Sequence, residues 1–295
     1  MTKTNLLWML GFGIVMLLSA CHSEEEEAVQ TLRFSSQSDG RVALKTSMDK
    51  DGMFYWTAGD RIFVTNGVSY VRSDNAVDGT AQNANFFLKG TGYNADGTYS
   101  VLYTGNGDDT SPTSVTIKAH QTQTIANDAT HLGTDGDCGN AHAYSTGVSE
   151  FAFQLNHRAA YLRIVPRHDI NGASKVVLKS ITVETPSSAT NNLCGTYTFS
   201  ENTIDLSAET NSNPGKVITL TVGNWNVPSK AAADADVALL DQVCGYMVIQ
   251  PGTHTLTFTY TVRVDGETSD RIFIKTVTEH VLARGSYAEV KHILK

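Results

Sequence analysis

Clustered positive charge is missing from this 295-residue sequence. Lysine and arginine together number 22 against 30 aspartates and glutamates, which gives a formal net charge of −8 without any basic block. Nucleic acids and anionic lipid headgroups are bound by clustered Lys and Arg side chains. The charge pattern therefore predicts no nucleic acid among the partners of this protein.

Cysteine is scarce. Beyond Cys21 near the N-terminus, the sequence holds only Cys138, Cys194 and Cys244, which are far apart and odd in number. This spacing matches neither a disulfide framework nor a paired zinc-ligand motif. We expect buried free thiols, and a single bridge from Cys194 to Cys138 or to Cys244 stays open if the compartment is oxidising.

Catalytic motifs are also lacking. The sequence has no Gly-x-Ser-x-Gly elbow, phosphate loop or His-Glu-x-x-His helix, so we expect neither an enzyme nor a cofactor. Residues 135–140 begin like a calcium loop, with oxygen ligands at alternate positions, but no glutamate follows at the needed spacing. His131 and His142 flank this segment without fixing a geometry. We expect an acidic, glycine-rich surface loop here and no metal.

Only one long hydrophobic run is present, at residues 6–20, and it is shorter than the ~20 residues of a spanning helix. Lys3 precedes it and Leu-Ser-Ala-Cys21 ends it, in the order of a signal peptide. The ending looks like a bacterial lipobox, whose cysteine is acylated, for example with palmitate, and becomes the new N-terminus. The sequence predicts a signal peptide over 1–20 and lipidation at Cys21. The alternative is a secretory signal with a chance cysteine.

Four consecutive glutamates at 24–27 follow closely after Cys21 and form a block of like charge near the start of the predicted mature chain. Such a block repels itself and stays hydrated. We therefore expect residues 21–30 to form an acidic tether between the lipid and the folded body.

The rest of the sequence follows a period of two. Apolar residues alternate with four threonines and an arginine over 255–264, Asp265-Gly266 supplies a turn, and 271–277 returns as the second arm of a hairpin. Only 231–240 reads as a helix. Further strands are predicted at 32–34, 62–65, 86–88, 99–103, 115–118, 151–155, 161–165, 176–183, 196–199, 217–222, 246–250 and 287–294.

Many short strands with turns between them predict an all-β fold of two tandem β-sandwich domains. The boundary is placed near residues 166–172, where a strand ends and a turn-rich stretch begins. The predicted domains are therefore 31–167 and 168–295.

Two aromatic sites are candidates for stacking on a sugar ring. Phe54, Tyr55 and Trp56 are consecutive, and Trp225 lies in a polar Gly-Asn-Trp-Asn setting that makes it the better candidate for a surface aromatic. Packing in the core or an interface is the alternative for both.

Three segments resemble the fimbrillin-like lipoproteins of Bacteroidetes, the family of type V pilus subunits. Residues 56–64 read Trp-Thr-Ala-Gly-Asp-Arg-Ile-Phe-Val, with Lys45-Thr46 upstream, like the family's Trp-x-x-Gly-Asp-x-Ile-x-Val stretch. Residues 151–162 are similar to a family strand in which a histidine, here His157, precedes a small residue. The ending Gly285-Ser-Tyr287 resembles the Gly-x-Tyr that opens the last family strand. The serine and glutamates after Cys21 also resemble the signal that exports lipoproteins of this phylum to the cell surface.

The first of these segments has a structural explanation. Gly59 and Asp60 are expected to make a tight turn, with Trp56 folded over it and with Ile62 and Val64 entering the core.

The resemblance implies transthyretin-like β-sandwiches and an assembly mechanism. In polymerising members a protease that cuts after Arg or Lys removes the first strand, and the exposed groove accepts a strand from the next subunit. Arg41, between the strand at 32–34 and Trp56, is the candidate processing site. The last strand, 287–294, is either a donor or closes its own sandwich.

We therefore expect a lipid-anchored protein at the cell outer membrane, exposed on the surface or within a pilus. Its expected partners are the outer membrane, other fimbrillin-like subunits, and host or bacterial surface ligands or glycans. The alternative is a surface glycan-binding lipoprotein of a polysaccharide-uptake system, using Trp225.

Overall fold

The alternating sequence pattern folds into β-strands in the computed structural model, which describes residues 29–37, 47–48, 54–90, 92–94 and 97–295. The strands are β1 (Gln30–Ser36), β2 (Ser47–Met48), β3 (Phe54–Tyr55), β4 (Phe63–Thr65), β5 (Tyr70–Arg72), β6 (Asn85–Gly90), β7 (Thr98–Tyr103), β8 (Ser114–Ile117), β9 (His120–Gln123), β10 (Gly139–Gly147), β11 (Glu150–Phe153), β12 (Asn156–His157), β13 (Ala160–His168), β14 (Val176–Glu184), β15 (Gly195–Thr198), β16 (Val217–Asn226), β17 (Gly245–Ile249), β18 (Gly252–Val264), β19 (Asp270–Leu282) and β20 (Tyr287–Leu294). The prediction of an all-β fold is confirmed.

Helices are short. The α-helices are α1 (Leu132–Asp135) and α2 (Lys230–Ala235), and 3-10 helices occur at Leu206–Ala208 and Val237–Val243. The helix predicted at 231–240 is thus split, because the Asp236 side chain accepts a hydrogen bond from the Ala238 amide and starts a new turn. No helix in the described part of the chain combines the length and apolar character needed to cross a bilayer.

Three sheets carry the fold. The first has the strand order β5-β4-β7-β10-β11-β1-β6, with β12 paired to β10. The second has the order β19-β18-β14-β16-β9, and the third has the order β17-β13-β20. The small pairs β8–β15 and β2–β3 complete the described pairing.

The predicted hairpin is present as β18 and β19, joined through Asp265-Gly266, where Gly266 takes a φ of 80°. Along β18 the side chains from Leu256 to Val264 alternate between buried and half-buried, so one face packs on the core and the threonines face outward. The period-two pattern therefore predicted both the strand and its buried face.

The buried side chains of the described residues form two hydrophobic cores. The N-terminal core consists of residues that lie between positions 32 and 155 in the sequence, and the larger core consists mainly of residues that follow Ala159. Strand pairing does not divide at the predicted boundary, because β13 pairs with β17 and β20, and the earlier β9 pairs with β16. The two-domain division at 167/168 stays a prediction.

Candidate functional site

The N-terminal strand β1 lies inside the first sheet. It pairs antiparallel with β6 on one side and parallel with β11 on the other. Its partner β11 follows it by more than a hundred residues in the sequence, so no local turn holds the two together. The space between β6 and β11 that β1 occupies is called the β1 slot below.

Apolar side chains hold β1 in this slot. Leu32 and Phe34 are 1% and 0% exposed and belong to the N-terminal core. The Phe34 ring stacks on Phe151 with 4.8 Å between the ring centroids, and its edge contact with Tyr99 spans 6.3 Å. Burial of each side chain stabilises the fold by about 1.5–3 kcal/mol.

Ser36 fixes the end of β1 through its hydroxyl group. The buried Ser36 Oγ accepts a hydrogen bond of 2.8 Å from Trp56 Nε1 and another of 2.8 Å from the Ala84 amide. The Ser36 amide in turn donates to the Ala84 carbonyl at 2.9 Å. The Ser36 hydroxyl is therefore the hydrogen-bond acceptor for both the Trp56 indole and the Ala84 amide, which lie against the core.

The outward face of β1 carries one ion pair. The Arg33 guanidinium lies 2.8 Å from the carboxylate of Glu150 on β11, and both side chains are 44% exposed. Ser35 Oγ donates to Asn85 Oδ1 at 2.7 Å on the same face. These contacts link β1 to both neighbouring strands.

The turn after Trp56 has the predicted structural role. Asp60 Oδ2 accepts a 2.6 Å hydrogen bond from the Thr57 amide, Gly59 takes a φ of 92°, and Trp56 is fully buried. The Tyr103 hydroxyl donates to Asp60 Oδ1 at 2.9 Å. Ile62 and Val64 enter the core as predicted, since both are 0% exposed.

The candidate surface aromatic is a core residue. Trp225 is 7% exposed, and its Nε1 donates to the Thr124 carbonyl at 3.1 Å. Leu178 of β14 pairs with Trp225 of β16, and the next pair is Ser180 with Thr221. Between these pairs β14 advances by two residues and β16 by four, so the register of the two strands shifts. This register shift turns the indole inward, so Trp225 is not a surface aromatic and the alternative of core packing holds for this candidate. Phe54 and Trp56 are likewise buried.

The segment at 135–140 is not a surface loop, and that prediction is wrong. Asp137 and Cys138 are 0% exposed. Asp137 Oδ1 lies 2.6 Å from His157 Nδ1 and also accepts a hydrogen bond from the Tyr161 hydroxyl. Burial raises the pKa of the Tyr161 hydroxyl well above its usual value, and the nearby Asp137 raises it further. In the described residues no group of three acidic, histidine or cysteine side chains gathers as metal ligands.

The three cysteines of the described chain are free and buried, in agreement with the expectation of free thiols. Burial raises the pKa of Cys194 to about 11 and that of Cys244 to about 12. A thiol with such a pKa is a poor nucleophile at neutral pH. These side chains serve as core residues.

Two sheet edges, those of β17 and β6, are bonded by side-chain amides, a feature that the alternating sequence pattern does not predict. Gln121 Nε2 donates to the Val248 carbonyl at 2.8 Å, and the Val248 amide donates back to Gln121 Oε1 at 3.0 Å. Gln123 binds the Tyr246 amide and the Cys244 carbonyl of the same edge. On β6, Asn75 bonds the backbone of Phe87 and Asn85. Such contacts cover edges that would otherwise accept another strand.

The remaining predicted site residues have the following positions. Cys21, the signal peptide and Arg41 lie outside the described residues. The last strand β20 pairs parallel with β13 over its whole length, so it closes a sheet of its own chain.

Several solved structures similar to this chain come from Bacteroides. A candidate cell adhesion protein from Bacteroides uniformis is 14% identical, with 91% of this chain and 93% of that chain covered and a TM-score of 0.46. A candidate cell adhesion protein from Bacteroides ovatus is 13% identical, with 90% and 92% covered and a TM-score of 0.48. A fimbrial protein from Bacteroides ovatus is 12% identical, with 89% of this chain and 50% of that chain covered and a TM-score of 0.36.

No protein-family profile and no curated protein matches the sequence.

Proposed function

We propose that this protein is a fimbrillin-like surface subunit that joins a pilus by exchanging its first strand, and so contributes to adhesion. The observation that carries the proposal is the position of β1. It is the first strand of the described chain, yet it lies between two strands of the sheet with Leu32 and Phe34 buried.

Loss of β1 would create a strong binding site for an extended strand. The backbones of β6 and β11 would lose their hydrogen-bond partners, and the rings of Tyr99 and Phe151 would lose their contact with Phe34. Unpaired backbone groups and uncovered apolar side chains favour addition of a new strand. A strand from a neighbouring subunit restores both sets of contacts.

Two other sheet edges are less open to an added strand than this slot would be. Gln121 and Gln123 occupy the edge of β17, and Asn75 occupies the edge of β6. A strand that approaches these edges must first displace side-chain hydrogen bonds. The β1 slot has no such side-chain cover once β1 leaves.

Sequence features outside the described residues complete the proposal. Lipidation at Cys21 and the acidic tether would hold the subunit at the cell outer membrane, on its outer surface. Cleavage after Arg41 would separate β1, with its lipid, from the rest of the chain. An uncut chain would stay lipid-anchored and serve as an anchor or accessory subunit.

The alternative of a glycan-binding lipoprotein called for exposed aromatics such as Trp225. With that indole buried against Thr124, no observation on the described residues favours it.

Limited proteolysis of the lipid-free precursor tests the proposed function. A trypsin-like protease should cut after Arg41, and mass spectrometry should find a stable remainder that takes up a labelled peptide of residues 29–37. The matched variant, in which Arg41, Lys45 and Lys50 are all replaced by Gln, should stay uncut between β1 and β3 and take up none. A folded precursor that is never cut there, or a cut chain that refuses the peptide, would contradict the proposal.

A further inference from the structure

We infer that the β1 slot selects the strand that enters it by the side chains at five successive positions of that strand. The preferred order is an apolar residue, a cation, an aromatic ring, any residue and then a small hydroxyl residue. This is the order of residues 32–36, Leu-Arg-Phe-Ser-Ser. The inference rests on the proposed function and names the chemistry of the partner strand.

The hydroxyl residue is the sharpest requirement. Ser36 Oγ is the acceptor for both Trp56 Nε1 and the Ala84 amide, each at 2.8 Å. Trp56 is 0% exposed, so water cannot replace a lost acceptor at the indole. A strand with an apolar residue at this position would leave the buried Trp56 indole and the partly buried Ala84 amide without this acceptor, which costs binding free energy.

The requirement for an aromatic and an apolar side chain in the entering strand follows from packing. Phe34 packs against both Phe151 and Tyr99, whose rings also contact each other with 5.1 Å between centroids, and Leu32 is 1% exposed in the same core. A smaller side chain at either position would leave a cavity next to the packed aromatic rings.

The preference for a cation at the second position follows from the negative charge of Glu150. Glu150 stays on β11 when β1 leaves, and Arg33 is the residue that lies 2.8 Å from it in the intact chain. Because the pair is half exposed, it contributes less than the hydroxyl residue. An acidic side chain at this position would be repelled by Glu150.

Elsewhere in this sequence the complete order does not occur. The last strand comes closest, since Val290, Lys291 and His292 supply an apolar residue, a cation and a ring. It then places Leu294 where the hydroxyl residue is required. The slot is therefore expected to prefer a strand from a different subunit over β20 from a second copy.

A peptide-exchange experiment tests this inference. The lipid-free chain would carry a site-specific protease sequence inserted between Gly40 and Arg41, so that the nicked chain keeps β1 bound without a covalent link. Labelled peptides then compete for the slot, and retention on the protein gives their relative affinities. This design does not depend on natural cleavage after Arg41.

We expect the 29–37 peptide to enter the slot and its Ser36→Ala variant to bind at least about tenfold more weakly. An Arg33→Glu peptide should bind about threefold more weakly, with recovery on a Glu150→Arg protein. Thr31→Ala, at an exposed position of β1, is the matched control and should change affinity less than about twofold.

The β20 peptide gives the decisive comparison. A peptide of residues 286–295 should bind weakly, and its Leu294→Ser variant should bind at least about tenfold more tightly. Equal binding of all peptides would overturn the inference while strand exchange itself stands. Failure of the 29–37 peptide to enter at all would overturn both the inference and the proposed function.

Discussion

At the scale of single residues, buried polar groups fix the geometry around the slot. Asp60 illustrates this, because one carboxylate holds the Thr57 amide and the Tyr103 hydroxyl while it is 0% exposed. The sequence motif predicted the turn and its buried neighbours. It did not reveal Tyr103 as a partner, since the two residues are 43 positions apart.

We expect Asp60→Ala to lower the free energy of unfolding by about 2–4 kcal/mol, because it removes the buried carboxylate that accepts hydrogen bonds from the Thr57 amide and the Tyr103 hydroxyl. Tyr103→Phe removes the hydroxyl but leaves the hydrogen bond from the Thr57 amide to Asp60 in place, so it should cost less, about 1 kcal/mol. Urea unfolding of both variants measures the difference. Equal effects of the two substitutions would contradict the assigned role.

His292 should make stability depend on pH. Burial, with the charge of Lys275, lowers the pKa of His292 to about 4, and its Nδ1 lies 2.6 Å from the Tyr260 hydroxyl. In the unfolded chain the pKa is about 6.5. The unfolded state therefore binds more protons between these values, so stability falls as the pH drops from about 6.5 towards 4.

Replacement by His292→Gln should flatten this part of the pH profile, as measured by urea unfolding at pH 7 and pH 4.5. The exposed His120→Gln substitution is the matched control and should leave the slope unchanged. A His292→Gln profile as steep as the wild type would contradict the assignment.

At the scale of elements, alternation predicted strands well wherever large apolar residues mark one face. Strand β18 is the clearest success. Strand β10 was missed because its residues, Gly-Asn-Ala-His-Ala-Tyr-Ser-Thr-Gly, are mostly small or polar and give no apolar alternation. Its burial comes from neighbouring strands, which sequence periodicity does not report.

Strand β9 was missed for a related reason, since its buried side chains are Gln121 and Gln123. Glutamine normally predicts exposure. Here each glutamine side chain forms hydrogen bonds with the backbone at the β17 edge, of the kind that a neighbouring strand would otherwise form.

We expect Gln121→Leu to destabilise the fold by about 2–4 kcal/mol, because the Val248 amide and carbonyl would both lose their buried partner. Thr122→Ala, on the exposed face of the same strand, is the control and should change the free energy of unfolding by less than about 0.5 kcal/mol. Chemical denaturation measures both. A Gln121→Leu protein as stable as the control would show that the edge needs no amide.

At the scale of the whole molecule, the sequence predicted the fold class but not the strand order. Strand β1 pairs with β11, far along the chain, and β9 joins a sheet built from C-terminal strands. Such pairing depends on which apolar faces fit together in three dimensions. It also determines that β1 is an inner strand, which is the feature on which the proposed function depends.

The most direct test of strand exchange is a reversible lock on β1. Thr31 and Lys89 are opposite one another on β1 and β6, and both are exposed. A Thr31→Cys/Lys89→Cys protein can therefore be joined by a disulfide across the slot. Each single cysteine variant is a control.

The measurement is the amount of this chain in high-mass material sheared from producing cells, with and without reductant. The account predicts that the oxidised double variant stays as a membrane-bound subunit, and that reduction restores its entry into assemblies. Equal entry of the locked and reduced forms would contradict assembly through the β1 slot.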